Sequence, residues 1–462
     1  MRNAVHSENI RLVVLLGLLA ACYLFGGASR VDVMSLIILQ PVAVLCVAAF
    51  LIAPGPVHWD SVRTPLLLLG ALAGIMGAQL VPLPPEVWTK LAGHGPFAES
   101  ATVAGIHQPW RPISLTPDLT LASLIGLTVP GAVLIGFASI RPRQRRVLLT
   151  AVLAGAGVSA LFGLAQVSGG PQSPFYLYDV TNLENAVGLF ANRNHQALLL
   201  AMAWPMLVVW GLAPHKDPRR RAAARWIAVC AALFVLPLLM VTGSRAGLVL
   251  GAASLGFTAV MWWRANAQGP IHPGPFNRFT SAAVVVGACV VVVATVAMSR
   301  AEAVKRLLSL EALEDSRVET TPTILKMAAD FFPVGSGFGS FDPLYRYYEP
   351  VALLSPRYLN HAHNDVLELV VSAGLPGVVL TFLFLFWFAK QAWKAWRTRK
   401  AHQDADLARV ASIIVVLTLM SSLVDYPLRT PLVMAVFCVA CGWLAALTGK
   451  RSQIDGQNAF TL

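Results

Sequence analysis

Three short segments hold the side chains best suited to chemistry, and each sits at the edge of an apolar run. His361-Ala362-His363-Asn364-Asp365 leads directly into one such run, with Glu368 one turn further on. An unperturbed imidazole titrates near pH ~6.5, which suits His363 to take a proton from a hydroxyl nucleophile while Asp365 or Glu368 orients it or holds its charge. The same residues also suit a plainer task, because Asn364 or Asp365 can cap a helix N-terminus. Arginine stands in the other two segments, Asn192-Arg193-Asn194-His195 and Thr242-Gly243-Ser244-Arg245-Ala246-Gly247. A single arginine at the end of an apolar run can simply snorkel to the interface. Arg245, however, is the only charged residue between Trp226 and Trp263, and keeping an ionisable group in such surroundings costs on the order of a few kcal/mol. A guanidinium fork meets phosphate oxygens two at a time, which an ammonium group does not. Arg429, in Asp425-Tyr426-Pro427-Leu428-Arg429, is a second-tier candidate, as are Arg346 and Arg357 in a long polar segment.

Such residues need a frame, and composition says which kind. Of 462 residues, 56 % are apolar and only 13 % charged, against roughly 25 % charged in ordinary globular proteins. A chain this poor in charge cannot cover a water-exposed surface, which excludes a soluble enzyme, a disordered chain and a secreted disulfide scaffold. The net charge of +12 invites a nucleic-acid partner. Yet Arg141, Arg143, Arg145 and Arg146, and again Arg219, Arg220 and Arg221, cluster between apolar runs, as cytoplasmic loops do, so no nucleic-acid partner is expected. Cys438 and Cys441 form a CxxC inside an apolar run with no second pair, which stacks two small residues on one helix face and makes no zinc site.

A hydrocarbon core about 30 Å thick takes roughly 20 apolar residues per helix. Twelve runs qualify, near 11–28, 33–53, 65–82, 119–140, 147–167, 195–213, 226–242, 247–264, 280–298, 364–389, 408–424 and 431–448. The first is expected to be an uncleaved anchor, because a second run follows almost at once. The expected fold is therefore an all-α integral membrane protein with about 12 transmembrane helices in a single polytopic domain, 1–462. Placing the N-terminus in the cytoplasm puts 22 of the 35 Lys and Arg residues inside. This satisfies the positive-inside rule and brings both termini, with a tail at 449–462, to the cytoplasmic side. Two outer segments are too long to be mere connectors. Residues 83–118 mix Pro, Trp and Gly and suit a folded loop without a core of its own. Residues 299–363, a large loop before the tenth helix, carry helical signals around Arg300–Leu313 and Thr323–Phe332. Long ordered loops on a compact scaffold are usually functional.

The order of these segments resembles the O-antigen ligase and polymerase superfamily of bacterial membrane glycosyltransferases, over roughly 190–390. An F-x-N-x-N-H-like segment is present as Phe190-Ala191-Asn192-Arg193-Asn194-His195, and an S-R turn as Ser244-Arg245-Ala246-Gly247. A P-x-x-G-x-G-x-x-x-F-like stretch is echoed loosely by Phe332-Pro333-Val334-Gly335-Ser336-Gly337-Phe338-Gly339-Ser340-Phe341. The most specific motif is a histidine followed by Asn, Ser or Gln, then nine residues, then G-x-x-G, matched by His363-Asn364 and Gly374-Leu375-Pro376-Gly377. The ligase pattern often has Leu four residues after the turn arginine, where this chain has Val249, a mild apolar exchange.

The resemblance implies a glycan donor on undecaprenyl diphosphate, presented at the periplasmic face of the bacterial inner membrane. It implies Arg193 and Arg245 as diphosphate ligands and His363 as the base that deprotonates an acceptor sugar hydroxyl, in an inverting transfer without metal or cofactor. The acceptor would be lipid A–core for a ligase, or a second glycan repeat for an O-antigen or exopolysaccharide polymerase. The residues themselves offer no competing metal site. Asp404-Ala405-Asp406 lies in a basic loop as solvated surface, and the His361/His363 pair lacks a third ligand of comparable claim. A loop over the groove would keep water from the donor, and Tyr345-Arg346-Tyr347-Tyr348 suits either sugar stacking or an interfacial belt. A polytopic transporter or lipid flippase is the alternative of another class. It would favour inverted repeats and polar sites at mid-membrane, whereas here no repeat is evident and the polar residues gather at the outer edge.

Overall fold

The computed structural model describes residues 2–30, 33–267, 316–354, 359–398 and 403–447. Helices α1 (Arg2–Phe25), α2 (Ser35–Ile52) and α3 (Arg63–Gln79) come first. A connecting segment follows with strands β1 (Pro82–Leu83) and β2 (Arg111–Pro112), paired antiparallel around the short helices α4 (Pro85–Trp88) and α5 (Gly95–Val103). The chain continues through α6 (Pro117–Gly126), α7 (Thr128–Ser139), α8 (Arg145–Gly169), α9 (Arg193–Gly211), α10 (Pro218–Val241) and α11 (Arg245–Ala267). The later helices are α12 (Ser316–Phe331), α13 (Phe341–Tyr348), α14 (Asp365–Arg397), α15 (Gln403–Ser422) and α16 (Pro431–Ala446).

All the expected apolar runs but one fall on these helices. The run at 280–298, the helical signal at Arg300–Leu313, Arg357 and the tail 449–462 lie outside the described residues. Among the described residues, seven helical stretches are long and apolar enough to cross a membrane, which makes this a multi-pass membrane protein. Twelve were expected, and length explains part of the difference. The apolar helices Asn9–Phe25 and Pro431–Ala446 fall in the 10–17 residue class, and α3 has 17 residues. At 1.5 Å per residue they reach about 25 Å at most, short of a full hydrocarbon core. The run expected at 119–140 is itself one of the seven, Pro117–Ser139, with a one-residue interruption at Leu127 between α6 and α7. Pro130 causes the interruption, because it has no N–H to offer the Gly126 carbonyl and its ring crowds that oxygen.

Helix α9 occupies the centre of the bundle, with every residue from Asn194 to Leu207 buried. Its apolar surface, together with Ile414 and Leu417 of α15 and Trp443 of α16, meets Leu18, Phe50, Phe137 and Leu148 in one continuous core. Helices apolar all round belong inside, whereas α2 leaves Ile37, Leu45 and Ile52 exposed, as suits a lipid-facing position. Arg11 is buried between the ends of α2 and α7 and donates to the carbonyls of Ala53, Gly55, Pro56 and Ser139. It thereby satisfies acceptors that helix termini leave open.

At one end of the bundle the two long connecting segments fold together. Ile324, Met327 and Phe331 of α12, Phe341, Leu344 and Tyr345 of α13, and Ala362 and Val371 form a small separate core. Phe97 and Leu115 of the first segment pack against it, so the 83–118 segment shares its core with the second. Helix α14 is broken at Gly374 (φ 54°, ψ −137°), two residues before Pro376. The break frees carbonyls, and the segment 333–339 docks on them. Ser336 N–H donates to Val371 O (2.9 Å), Gly337 N–H to Ser372 O (3.0 Å), and Leu375 N–H to Pro333 O (2.8 Å). A Cβ at Gly374 would collide with that Pro333 carbonyl. Gln79, at the end of α3, completes the junction by donating to Ser372 O (2.8 Å) and accepting from Phe338 N–H (3.3 Å).

Candidate active site

The docked segment and the kink hold the N-terminus of α14 at the lobe end of the bundle, and the site is built there. Asn364 caps the helix, its Oδ1 accepting from Leu367 N–H at 2.9 Å. Just before it, His363 adopts φ +49°, a left-handed conformation that is costly for a side chain with a Cβ and that recurs at functional positions. Its Nδ1 stands 3.3 Å from Asp425 Oδ1, the imidazole 22 % exposed and the carboxylate 0 %. Asp425 also accepts from Asn194 Nδ2 (2.6 Å), Asn192 Nδ2 (3.2 Å) and the Tyr426 N–H (3.0 Å). These donors leave both carboxylate oxygens engaged within the fold. Facing Nδ1, the carboxylate favours the tautomer whose proton sits there, which leaves the Nε2 lone pair available as a base.

A second buried group lies alongside. Glu368 accepts from the Ala362 N–H (2.8 Å), pairs with His361 Nδ1 (3.0 Å) and meets Arg429 Nη2 at 3.2 Å. Asp365 accepts from Ser422 Oγ (2.8 Å) and the Leu428 N–H (3.2 Å), with Arg429 Nε at 3.6 Å. Arg429 is thus engaged with two carboxylates of α14. The ring of Tyr426 fills the space between the histidines, its centroid 4.5 Å from that of His361, 4.9 Å from His363 and 5.5 Å from His195. Burial, reinforced by Asp425, pushes the Tyr426 hydroxyl up from its ordinary pKa, so it stays protonated.

The arginine segments reach the same centre through polar side chains. Asn194 Oδ1 accepts from Ser244 Oγ (2.7 Å), whose oxygen accepts in turn from the Gly247 N–H (2.8 Å). Arg193 is fixed by its N–H to Asn182 Oδ1 (3.0 Å) and by Nη1 to Asn185 Oδ1 (3.3 Å). Asn185 abuts Gly243, so the Arg193 guanidinium lies beside the turn that bears Arg245. Both arginines are half-buried.

Of the residues singled out in sequence, His363, His361, Asn364, Asp365, Glu368 and Arg429 are brought together at the head of α14. Arg193 and Arg245 adjoin through Asn194 and Ser244. Arg346 instead makes a two-pronged ion pair with Asp342 one turn back, Nε–Oδ1 at 2.7 Å and Nη2–Oδ2 at 3.0 Å. In its aromatic run Tyr345 is buried, Tyr348 donates to Asp330 (2.9 Å), and Tyr347 stands 60 % exposed against Phe97. Among the described residues, no three His, Cys, Asp or Glu side chains form a set able to hold a metal ion.

Residues 230–382 match a protein-family model described as O-Antigen ligase. Over that third of its length the chain is similar to O-antigen ligases. The matched span includes the Ser244-Arg245 turn, His363 and the Gly374 kink, while Arg193, Asp425 and Arg429 fall outside it. No curated protein matches the chain. Asp425 is the residue that sequence reasoning passed over. Its signal was the one that marks Arg245, isolation, because it is the only acid between Asp406 and Asp455.

Proposed function

We propose that the protein transfers a glycan from undecaprenyl diphosphate to an acceptor sugar hydroxyl, as an O-antigen ligase acting on lipid A–core at the periplasmic face of the bacterial inner membrane. In this reading twelve spans place both termini in the cytoplasm. The observation that carries it is a partly exposed imidazole, His363, facing a fully buried carboxylate, with two half-buried arginines joined to the same carboxylate through Asn194 and Ser244.

The acceptor O–H gives its proton to His363 Nε2 as its oxygen attacks the anomeric carbon from the face opposite the diphosphate. The new C–O bond forms while the bond to the diphosphate oxygen breaks, inverting that centre. The electron pair leaves with the diphosphate, where Arg193 and Arg245 meet the growing charge with guanidinium forks. Asp425 balances the imidazolium that results, as an acidic partner does for any histidine base. His361 and Glu368 hold the loop that carries His363, and Arg429 locks Glu368 to the turn at 427–429. The face of Tyr347 offers a stacking surface for a sugar ring.

Replacing His363 by Ala tests the assignment in a deletion strain complemented with the variant. The expected outcome is complete loss of glycan transfer at unchanged protein level, and full transfer would refute His363 as the base. The same gels separate the acceptors. Loss of the whole ladder above lipid A–core marks a ligase, and retention of a single repeat on core marks a polymerase.

A further inference from the structure

Asn194 sits between the two halves of the site, and its chemistry is fully specified by its neighbours. Ser244 Oγ accepts from the Gly247 N–H at 2.8 Å, so its own proton is free to go to Asn194 Oδ1, 2.7 Å away. The amide nitrogen of Asn194 then donates to Asp425 Oδ2 at 2.6 Å, and the other oxygen of Asp425 faces His363 Nδ1. The donors of Gly247, Ser244 and Asn194 point one way, toward Asp425, and His363 Nδ1 faces the same carboxylate from the other side. Only a side chain that accepts on one arm and donates on the other can stand here. A carboxylate at 194 would face Asp425 with like charge, and an apolar side chain would leave Ser244 and Asp425 each short of a partner in a buried place. The residue is itself buried, at 8 % exposure, and its backbone N–H is tied to Asn192 Oδ1 at 2.8 Å, so the amide has little freedom to turn.

We propose that Asn194 is a positioning residue that ties the Ser244-Arg245 turn to the Asp425–His363 pair, so that the diphosphate ligand and the general base are set as one unit. The proposal rests on the roles given above to Arg245 and His363, and it adds a coupling between them. Arg245 follows Ser244 directly, so any displacement of the turn by a bound diphosphate moves the donor to Asn194 and, through the amide, the carboxylate that fixes the imidazole. Asn194 touches neither donor nor acceptor.

A double-mutant cycle on the full-length protein tests the coupling. The protein is reconstituted in proteoliposomes with undecaprenyl-diphosphate-linked glycan and with lipid A–core from the deletion strain. Ser244→Ala removes one hydroxyl, and Asp425→Asn removes the charge at the other end. We expect kcat to fall about 10-fold and about 100-fold respectively, and the double variant to be no slower than Asp425→Asn alone, because coupled residues are not additive. A purely structural role predicts effects that multiply, to about 1,000-fold, and that result overturns the coupling. If Asp425→Asn fails to accumulate, Asn194→Leu replaces it, and Ser244→Ala must then add no further loss in that background. His363→Ala is the control in every series. Transfer by His363→Ala overturns both the base and the coupling, whereas an inactive His363→Ala beside multiplying effects overturns the coupling alone.

Discussion

At the scale of single residues, isolation in an apolar chain was the useful guide. It marked Arg245, whereas His363 stood out by its polar neighbours and its motif. Asp425 obeyed the same rule, but its partner lies sixty residues away in sequence on another helix, and pairing across such a separation has no local signature. Asp365 and Glu368 were expected to serve His363 directly. They stand at i and i+3 on α14 and share a face, and that face turns toward Arg429 and His361 instead. Asn364 proved to do what an Asn before a helix ordinarily does. Two outcomes follow at this scale. Arg245→Ala should lower kcat about 100- to 1,000-fold, the range for removing one donor to a developing anion. Arg245→Lys, which keeps the charge and loses the fork, should recover only part of that. Steady-state rates at saturating donor, with protein level held equal, check both.

At the scale of elements, helices were legible and their interruptions were less so. The long apolar runs announce themselves by period and length. The break between α6 and α7 follows from Pro130, a local rule that an apolar count ignores. The G-x-x-G motif was visible as a spacing, yet its mechanical role was not, because that role lies in carbonyls offered to a segment some forty residues upstream. Gly374→Ala should therefore act on folding before chemistry. It places a Cβ against the Pro333 carbonyl and asks an L-residue to hold φ +54°. Strained backbone alone costs about 1–3 kcal/mol, and undocking of segment 333–339 adds to it. The expected result is a lowered melting temperature in detergent and reduced accumulation. Asn364→Ala should be milder, about 1 kcal/mol for a lost cap, with folding retained.

At the scale of the whole molecule, composition settled the membrane setting, and the seven spanning stretches agree with it. The number of crossings is harder to read, because short apolar helices such as Asn9–Phe25 and Pro431–Ala446 blur any count made by length. Sidedness is open to direct test. A cysteine placed at the exposed Tyr347 should react in intact spheroplasts with a membrane-impermeant maleimide, while one at Arg219 should react only after lysis; the reverse pattern would invert the topology. The placement of Asp425 also has a consequence for biosynthesis. A ribosome has translated the entire matched span, 230–382, before it reaches Asp425, which faces His363. Until the turn after α15 is in place, His363 lacks the carboxylate that faces it in the folded protein. On the proposed mechanism, a nascent chain would be inert toward a lipid-linked glycan, and activity would begin only when synthesis is nearly over.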